Sequence, residues 1–243
     1  MLMITMGARQ AQGLFVFPIS GSTGVGIAAI SFAMAVGQFL WGAVAPVAGM
    51  LGDRFGAARV LVGGVLVLAL GTALTPLFTT SAGLVFTIGV LTAVGSGAGS
   101  FSMLIGTVMR RLPPAHRGVA AGIITAGGSF GQFVFAPITQ ALISLWGWMG
   151  AMWSLSVIAL VALPLVRPIS GPAAGDGAGS ADRAGGNLPD MLKRAFADRS
   201  YWLLHGSFLT CGFHIAFLVT HLPGEVDLCG LPASVASWSL AII

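Results

Sequence analysis

The sequence GMLGDRFGAAR, which runs from Gly49 to Arg59, separates two long apolar stretches and decides how the rest of the chain is interpreted. It contains three charged residues and three glycines: Asp53, Arg54 and Arg59, and Gly49, Gly52 and Gly56. Glycine is the residue that fits where a short connection needs a positive φ or a close backbone approach. The stretch therefore predicts a tight turn between two membrane helices, with the three glycines supplying the backbone freedom.

The composition excludes a soluble protein. Charged residues make up 7% of the 243-residue chain, hydrophobic residues make up 56%, and the mean hydropathy is +0.94. A soluble domain of this length would expose too much apolar surface. We therefore predict an all-α integral membrane protein whose constant partner is the lipid bilayer. Its Ala- and Gly-rich composition favours a bacterial origin, which implies a multi-pass protein of the cell inner membrane.

The net charge of +4 does not indicate a nucleic-acid partner, because the basic residues are confined to short loops. The positive-inside rule for membrane proteins explains that distribution. Two cysteines, Cys211 and Cys229, are too few for a secreted disulfide framework and are expected to act as small apolar residues. The pattern contains no metal-ligand spacing, so we predict neither a metal nor a cofactor.

A helix that crosses the hydrocarbon core needs about 20 mostly apolar residues. Eight stretches, named here the first to the eighth span, satisfy or begin to satisfy that requirement: 1–20, 27–48, 60–79, 84–109, 118–143, 149–166, 201–222 and 231–243. Residues 167–200 form the only long polar segment, and the glycine-dense part at 170–187 predicts a flexible linker. Apolar residues recur at helical spacing from Leu188 to Phe196, which predicts a short helix on the inner membrane surface.

These boundaries predict three parts. Residues 1–166 form an N-terminal transmembrane bundle of six helices, the first of which is expected to be truncated in this chain, and residues 167–200 form a cytoplasmic linker with the short interfacial helix. Residues 201–243 begin a second bundle.

The basic residues also predict the orientation. Of the eleven lysines and arginines, all but Arg9 follow the second, fourth and sixth spans, whereas the alternate turns near residues 20–26, 79–83 and 146–148 carry no charge. The turn after the seventh span carries Glu225 and Asp227. By the positive-inside rule the basic loops are cytoplasmic. Trp146 and Trp148 then lie where an outer belt of interfacial aromatic residues is expected.

The motif G-x-L-G-D-R-x-G-x-x-R at Gly49–Arg59 resembles the loop between the second and third helices of the major facilitator superfamily of secondary transporters. The turn from Arg110 to Gly118, with the pattern R-x-x-P-x-x-x-R-G, resembles a second turn of the same superfamily. The resemblance implies a six-helix bundle, a cytoplasmic linker and the start of a second bundle. Members have twelve helices, so the chain is expected to be a fragment.

The resemblance also implies a gating role for the residues of these two turns. In the family the aspartate lies near the start of a helix from the other half of the molecule, where the helix dipole favours a carboxylate, and nearby arginines lock one conformation. The residues implied are Gly49, Gly52, Asp53, Arg54, Gly56, Arg59 and Arg117. A cytoplasmic turn whose arginines only set the orientation is the alternative interpretation.

Two segments narrow the resemblance to a branch of the superfamily. Gly7–Phe15 and Cys211–Pro223 are similar to segments of the bacterial monocarboxylate-porter-like and oxalate-formate-antiporter-like transporters. The branch implies a small organic anion as substrate, such as a monocarboxylate, moved by alternating access and in symport with a proton. The fourth span lacks the arginine that many proton-coupled members carry near the position of Thr92, which weakens the expectation of proton coupling.

Polar residues inside the membrane are costly and point to the transport path. The third and sixth spans contain no ionisable residue and no amide, which predicts that they face lipid, as family geometry also implies. Four residues of the other spans are then candidates to line a central cavity and bind substrate: Arg9, Gln38, Gln132 and His214.

Each candidate has an alternative structural role. Arg9 could extend to the inner headgroups, the glutamines could hydrogen-bond between helices, and His214 could donate to a neighbour.

Two other classes of function were considered. A membrane enzyme needs converging acids, bases or metal ligands, but the carboxylates are scattered over Asp53, the linker and the turn after the seventh span. An enzyme is therefore not predicted. A sensor or scaffold that does not transport, or an inactive fragment, built on a transporter fold, is the remaining alternative to a transporter.

Overall fold

The structure is a computed structural model that describes residues 2–99, 101–164, 166, 193–194 and 196–243. All regular elements in these ranges are helices, which confirms the predicted all-α class. Five helices are long and apolar enough to cross a membrane: Ile27–Phe55, Ala57–Leu77, Ser81–Met109, Pro114–Val161 and Arg199–Leu228. Residues 167–192 and 195 of the predicted linker at 167–200, which include most of the predicted interfacial helix, lie outside the described residues.

The first span changes helix type in its middle. An α-helix at Leu2–Gln10 is followed by a 3₁₀-helix at Ala11–Phe15 and by a second α-helix at Val16–Thr23. Gly24 ends the span with a φ of 72°. Five residues is long for a 3₁₀-helix, and such stretches inside a helix often mark functional positions. The change of pitch begins two residues after Arg9.

The tight turn predicted at Gly49–Arg59 is much shorter than expected. The second span continues as an α-helix to Phe55, and the third begins at Ala57. Gly56 alone makes the turn, with a φ of 91° and a ψ of 131°. The prediction of turn glycines was wrong for Gly49 and Gly52, which are helical, because charged residues are tolerated in a helix once it leaves the membrane. Gly52 instead accommodates the side chain of Met103 from the fourth span.

The fourth span is irregular. It begins at Ser81–Leu84, capped by the Thr80 hydroxyl, which accepts from the backbone N–H of Gly83 at 3.2 Å. A π-helix follows at Val85–Thr92, then α-helices at Ala93–Ala98 and Phe101–Arg111. Extended π-helices are rare and are frequently found at functional sites.

The fifth and sixth spans form one hydrogen-bonded helical run at Pro114–Val161, broken at Gly147 by a φ of 69° and a ψ of 176°. An unbroken helix of this length would measure about 72 Å, more than twice the hydrocarbon thickness of a bilayer. The break gives two crossings and confirms the predicted turn at 146–148. Trp146 is exposed as expected of an interfacial residue, but Trp148 is 7% exposed and packs in the core, so its placement in the outer belt was wrong.

The seventh span extends six residues beyond its predicted end. It covers Arg199–Leu228, starts at an Asp198 cap and is followed by a turn at Gly230 and the helix Ala233–Ile242. Glu225 and Asp227 therefore lie in the final turns of the helix and not in a loop. Only the last part of the span is packed: the carbonyl of Val219 contacts Gly13, and Gly224 contacts Phe17 of the first span.

Two clusters of buried side chains fix the ends of the bundle. One cluster joins the end of the first span to the starts of the second, fourth and sixth spans: Ile19, Ile30, Leu84 and Trp148. The other joins the start of the first span to the end of the second, the start of the third and the end of the fourth: Leu2, Ala48, Leu61 and Met103. Neighbouring spans therefore run antiparallel. The turns after the second and fourth spans, which carry Arg54, Arg59 and Arg117, lie together at the second cluster, called here the basic end.

Cysteine labelling should reflect these two ends. In a Cys211→Ser, Cys229→Ser background, we expect a membrane-impermeant maleimide to label Ser81→Cys and Glu225→Cys from outside intact cells. Ala115→Cys, at the basic end, should be labelled only after the membrane is opened. All three positions are exposed on the protein surface. A cysteine there that is not labelled from outside is therefore shielded by the membrane and not by burial in the protein. External labelling of Ala115→Cys would overturn the orientation.

Candidate functional site

A cavity lies within the bundle, lined by the first, second, third, fourth and sixth spans; the space between its wall atoms, part of it open to the surroundings, is about 490 Å³. Its lining residues are Thr5, Ala8, Arg9, Gln12, Phe15, Met34, Leu68, Thr72, Thr75, Ile88, Thr92, Ser96, Met152 and Leu155. Along the spans these residues lie inward of the end residues named above for the two clusters, and five of them, Phe15, Met34, Ile88, Met152 and Leu155, belong to the first cluster. The lining is apolar apart from one guanidinium, one amide and a set of hydroxyls.

Arg9 contributes the positive charge. It lies next to the end of the helix Leu2–Gln10, is half-buried, and faces the cavity. Its guanidinium carbon lies 3.9 Å from the centroid of the Trp41 ring, on the second span. A cation above an indole face is stabilised by the ring quadrupole, by about 0.5–2 kcal/mol depending on desolvation. Within the described part of the chain, the guanidinium makes no ion pair, so its hydrogen-bond donors remain available.

The cavity hydroxyls are bonded within their own helices. Thr72 donates to the carbonyl of Leu68 and Thr75 to that of Gly71, each at 2.8 Å, and Thr5, Thr92 and Ser96 make the same kind of bond. Such bonds remove most of the cost of placing a hydroxyl in an apolar bundle. The oxygens can still accept, which makes the wall polar without adding charge.

The prediction that the third and sixth spans face lipid was wrong for one face of each. Leu68, Thr72 and Thr75 of the third span and Met152 and Leu155 of the sixth line the cavity. The sixth span lines the cavity with apolar side chains alone, and on the third span hydroxyl groups explain the error. They can line a cavity while bonded to their own backbone, so the absence of charges and amides does not identify a lipid-facing helix.

The other substrate-binding candidates lie outside this cavity. Gln38 and Gln132 are half-buried, and neither is among the lining residues. His214 is exposed on the seventh span, and its Nδ1 lies 2.9 Å from the carbonyl oxygen of Thr210 on the same helix. Of the four candidates the structure therefore brings only Arg9 to the cavity.

Besides the hydroxyl residues, two neighbours of Arg9 were not among the candidates: Gln12, which lines the cavity, and Trp41, which is not a lining residue but contacts the guanidinium. Gln12 lies three positions after Arg9, a spacing that places both on one face of a helix, and this signal was present in the sequence. Trp41 lies three positions after Gln38, but an aromatic residue in an apolar helix carries no signal that distinguishes it from a lipid-facing one. Its contact with Arg9 becomes visible only when two spans are placed together.

The residues with an implied gating role lie at the basic end. Asp53, Arg54 and Arg59 are exposed at the junction of the second and third spans, and the Arg54 guanidinium lies 5.3 Å from the Phe55 ring centroid. Arg117 is also exposed in the first turn of the fifth span, where its Nε donates to the carbonyl of Leu112 at 3.1 Å. This bond ties the start of the fifth span to the end of the fourth.

Comparison with known proteins gives a family match over the whole chain. The family model described as Major Facilitator Superfamily matches residues 1–243.

Individual relatives are more distant. Monocarboxylate transporter 13 of Bos taurus is 27% identical over 171 residues, which is 69% of this chain and 39% of the relative. Monocarboxylate transporter 11 of Homo sapiens is 33% identical over 59% of this chain and 31% of the relative. The 3-(3-hydroxy-phenyl)propionate transporter of Escherichia coli K12 is 32% identical over 49% of this chain and 29% of the relative. In each of these comparisons the matched region covers about two fifths of the relative or less.

Proposed function

The chain belongs to the major facilitator superfamily, and from this premise we propose that the protein is a secondary transporter of small organic carboxylates. Alternating access, in which the protein opens to one side of the membrane at a time, is the proposed mechanism. The bacterial inner membrane is the proposed location, on the basis of the composition and of the basic loops.

The observation that carries the proposal is the position of Arg9. A guanidinium stays protonated at membrane depth, and holding it there is expensive unless an anion or a wet cavity meets it. Arg9 faces the cavity, and no carboxylate is among the lining residues. Asp53 lies at the basic end of the bundle, and Glu225 and Asp227 lie at the opposite end of the seventh span. A substrate carboxylate would therefore supply the missing negative charge.

The chemistry of the lining also favours a small carboxylate. A guanidinium presents paired N–H donors that match the two oxygens of a carboxylate, and Gln12 adds an amide beside it. The apolar side chains, such as Phe15 and Met152, suit the hydrocarbon part of an organic acid. The printed names of the relatives above, which refer to monocarboxylates and to a substituted propionate, agree with this class of substrate.

Binding measurements on the purified natural protein in nanodiscs would test the substrate class. We expect 3-(3-hydroxyphenyl)propionate or pyruvate to bind saturably and the corresponding amide to bind at least about tenfold more weakly, because the amide lacks the charge that Arg9 attracts. Equal binding of acid and amide would contradict the carboxylate assignment, and so would the absence of binding by either acid.

Proton coupling stays a prediction. Apart from Arg9, no side chain in the described lining of the cavity is ionisable. His214, the candidate whose titration range suits proton transfer, is exposed on the seventh span. If a proton moves with the substrate, its binding group lies outside this cavity.

We also propose that the residues at the basic end control the conformational equilibrium. Asp53→Asn should leave the protein in the membrane and leave substrate affinity unchanged, since Asp53 is far along the second span from the cavity. The uptake rate should fall about tenfold. This is the size expected when an interaction that favours one conformation by about 1–3 kcal/mol is lost. Parallel assays of equilibrium binding and initial uptake rate give the comparison. Loss of binding with an unchanged maximal rate would contradict the gating role.

A further inference from the structure

The indole N–H of Trp41 is an unusual group in this bundle. Its Nε1 is buried and has no hydrogen-bond partner in the described part of the chain, a state shared among these residues only with the hydroxyl of Thr139. Two other tryptophans are satisfied: Trp153 donates to the carbonyl of Ala73 at 3.1 Å and Trp202 to that of Phe196 at 2.8 Å. Buried polar groups in proteins are nearly always paired, so an orphaned donor needs an explanation.

The orphaned N–H lies beside a cation. The ring that carries Nε1 is the ring over which the guanidinium of Arg9 is stacked, at 3.9 Å from its centroid. Both groups only donate hydrogen bonds and neither can accept one. The two groups are neighbours inside a membrane protein. A small oxyanion could accept a hydrogen bond from each of them at the same time.

The position of Trp41 is fixed by packing of the second span against the fourth. A Cβ added at Gly97 would lie 3.2 Å from the carbonyl oxygen of Trp41, so the absence of a side chain at Gly97 permits this close approach. Trp41 is not itself among the lining residues of the cavity; the contact of its ring with Arg9, which is one of them, places the indole beside the cavity. The indole is therefore held in place for binding, at little cost in side-chain ordering.

We propose that Trp41 is a substrate-binding residue whose indole N–H donates to an oxygen of the bound carboxylate, alongside the guanidinium of Arg9. This inference rests on the proposed function and adds to it a second donor on a different span. Trp41 then has two contributions, because its ring face holds the guanidinium in place and its N–H contacts the substrate directly.

The test measures KM and the maximal rate of uptake of radiolabelled pyruvate and 3-(3-hydroxyphenyl)propionate by the natural protein in proteoliposomes. Trp41→Phe keeps an aromatic face for Arg9 and removes the N–H. Incorporation of 3-benzothienylalanine at position 41 removes the N–H and keeps the fused ring. It therefore separates loss of the N–H from a packing defect that Trp41→Phe could cause. Trp153→Phe is the matched control, because it removes an indole N–H that is satisfied by the protein.

We expect both changes at position 41 to raise KM about tenfold or more, the loss typical of one hydrogen bond to a charged group, with the maximal rate little changed. Trp153→Phe should leave KM within about twofold, as expected for an exposed tryptophan whose N–H is already bonded within the protein.

An unchanged KM with benzothienylalanine at position 41, while Arg9→Gln loses binding, would overturn the inference and leave the proposed function standing. If the unaltered protein takes up neither probe, the proposed function fails and the inference fails with it.

Discussion

Arg9→Gln is expected to abolish carboxylate uptake by the natural protein in proteoliposomes. The substitution keeps a long polar side chain but removes the charge and the paired donors that face the cavity. Each hydrogen bond from a charged group to a substrate contributes about 1.5–3 kcal/mol, so loss of two should weaken binding about hundredfold or more. Initial rates of uptake over a range of substrate concentrations measure the effect.

Two further variants separate the charge from its geometry. Arg9→Lys keeps the positive charge and loses the paired donors, so it should bind more weakly than the unaltered protein and more tightly than Arg9→Gln. Arg199→Gln removes an exposed guanidinium at the start of the seventh span and should leave KM unchanged. If Arg9→Gln transports with unaltered apparent affinity, Arg9 is an interfacial anchor and the carboxylate proposal loses its main support.

Gly131→Ala should strongly destabilise the bundle, because the fifth span crosses the first at this residue. A Cβ at Gly131 would meet the backbone of Met3, including its Cα at 2.6 Å, and backbone atoms cannot move aside as a side chain can. Overpacking of a tight core typically lowers the free energy of unfolding by about 1–3 kcal/mol. Because the obstacle here is backbone, the loss for Gly131→Ala should lie at or above the upper end of that range. Because the first span carries Arg9, displacing it should impair binding as well.

Gly127→Ala is the matched control on the same span. A Cβ at Gly127 would meet no atom within 4 Å, and alanine is the better helix former. Thermal unfolding of the two variants, followed by size-exclusion chromatography after heating, should show a lower melting temperature for Gly131→Ala and no loss for Gly127→Ala. Equal melting temperatures for the two variants would contradict the close crossing of the first and fifth spans.

Hydropathy and charge predicted most of the fold. The break at Gly147 and the opposite placement of charged and uncharged turns followed from the spacing of apolar runs and of arginines. Helix ends were less predictable. The second span continues through Asp53 to Phe55, and the seventh continues past Pro223 to Leu228. A helix keeps its own hydrogen bonds when it leaves the bilayer, so polar residues mark the membrane boundary and not the end of the helix.

The site was less predictable than the fold. Arg9 could be identified from the sequence because a charge within an apolar stretch is costly and needs a reason. The hydroxyls of Thr72 and Thr75 could not be identified in this way, because a hydroxyl that is bonded to its own helix costs little to place in the membrane. Trp41 could not either, because its role depends on which face of the second span packs next to the first. Contacts between spans are set by packing, and no pattern within one helix determines them.

Counterflow in proteoliposomes tests the central proposal most directly. Vesicles containing the natural protein are loaded with unlabelled pyruvate or 3-(3-hydroxyphenyl)propionate and diluted into a trace of the same labelled acid. A transporter that works by alternating access exchanges the two pools and should accumulate label transiently above the level in protein-free vesicles, without any coupling ion. Binding of the acid without counterflow would contradict the proposal and would favour a sensor built on the transporter fold.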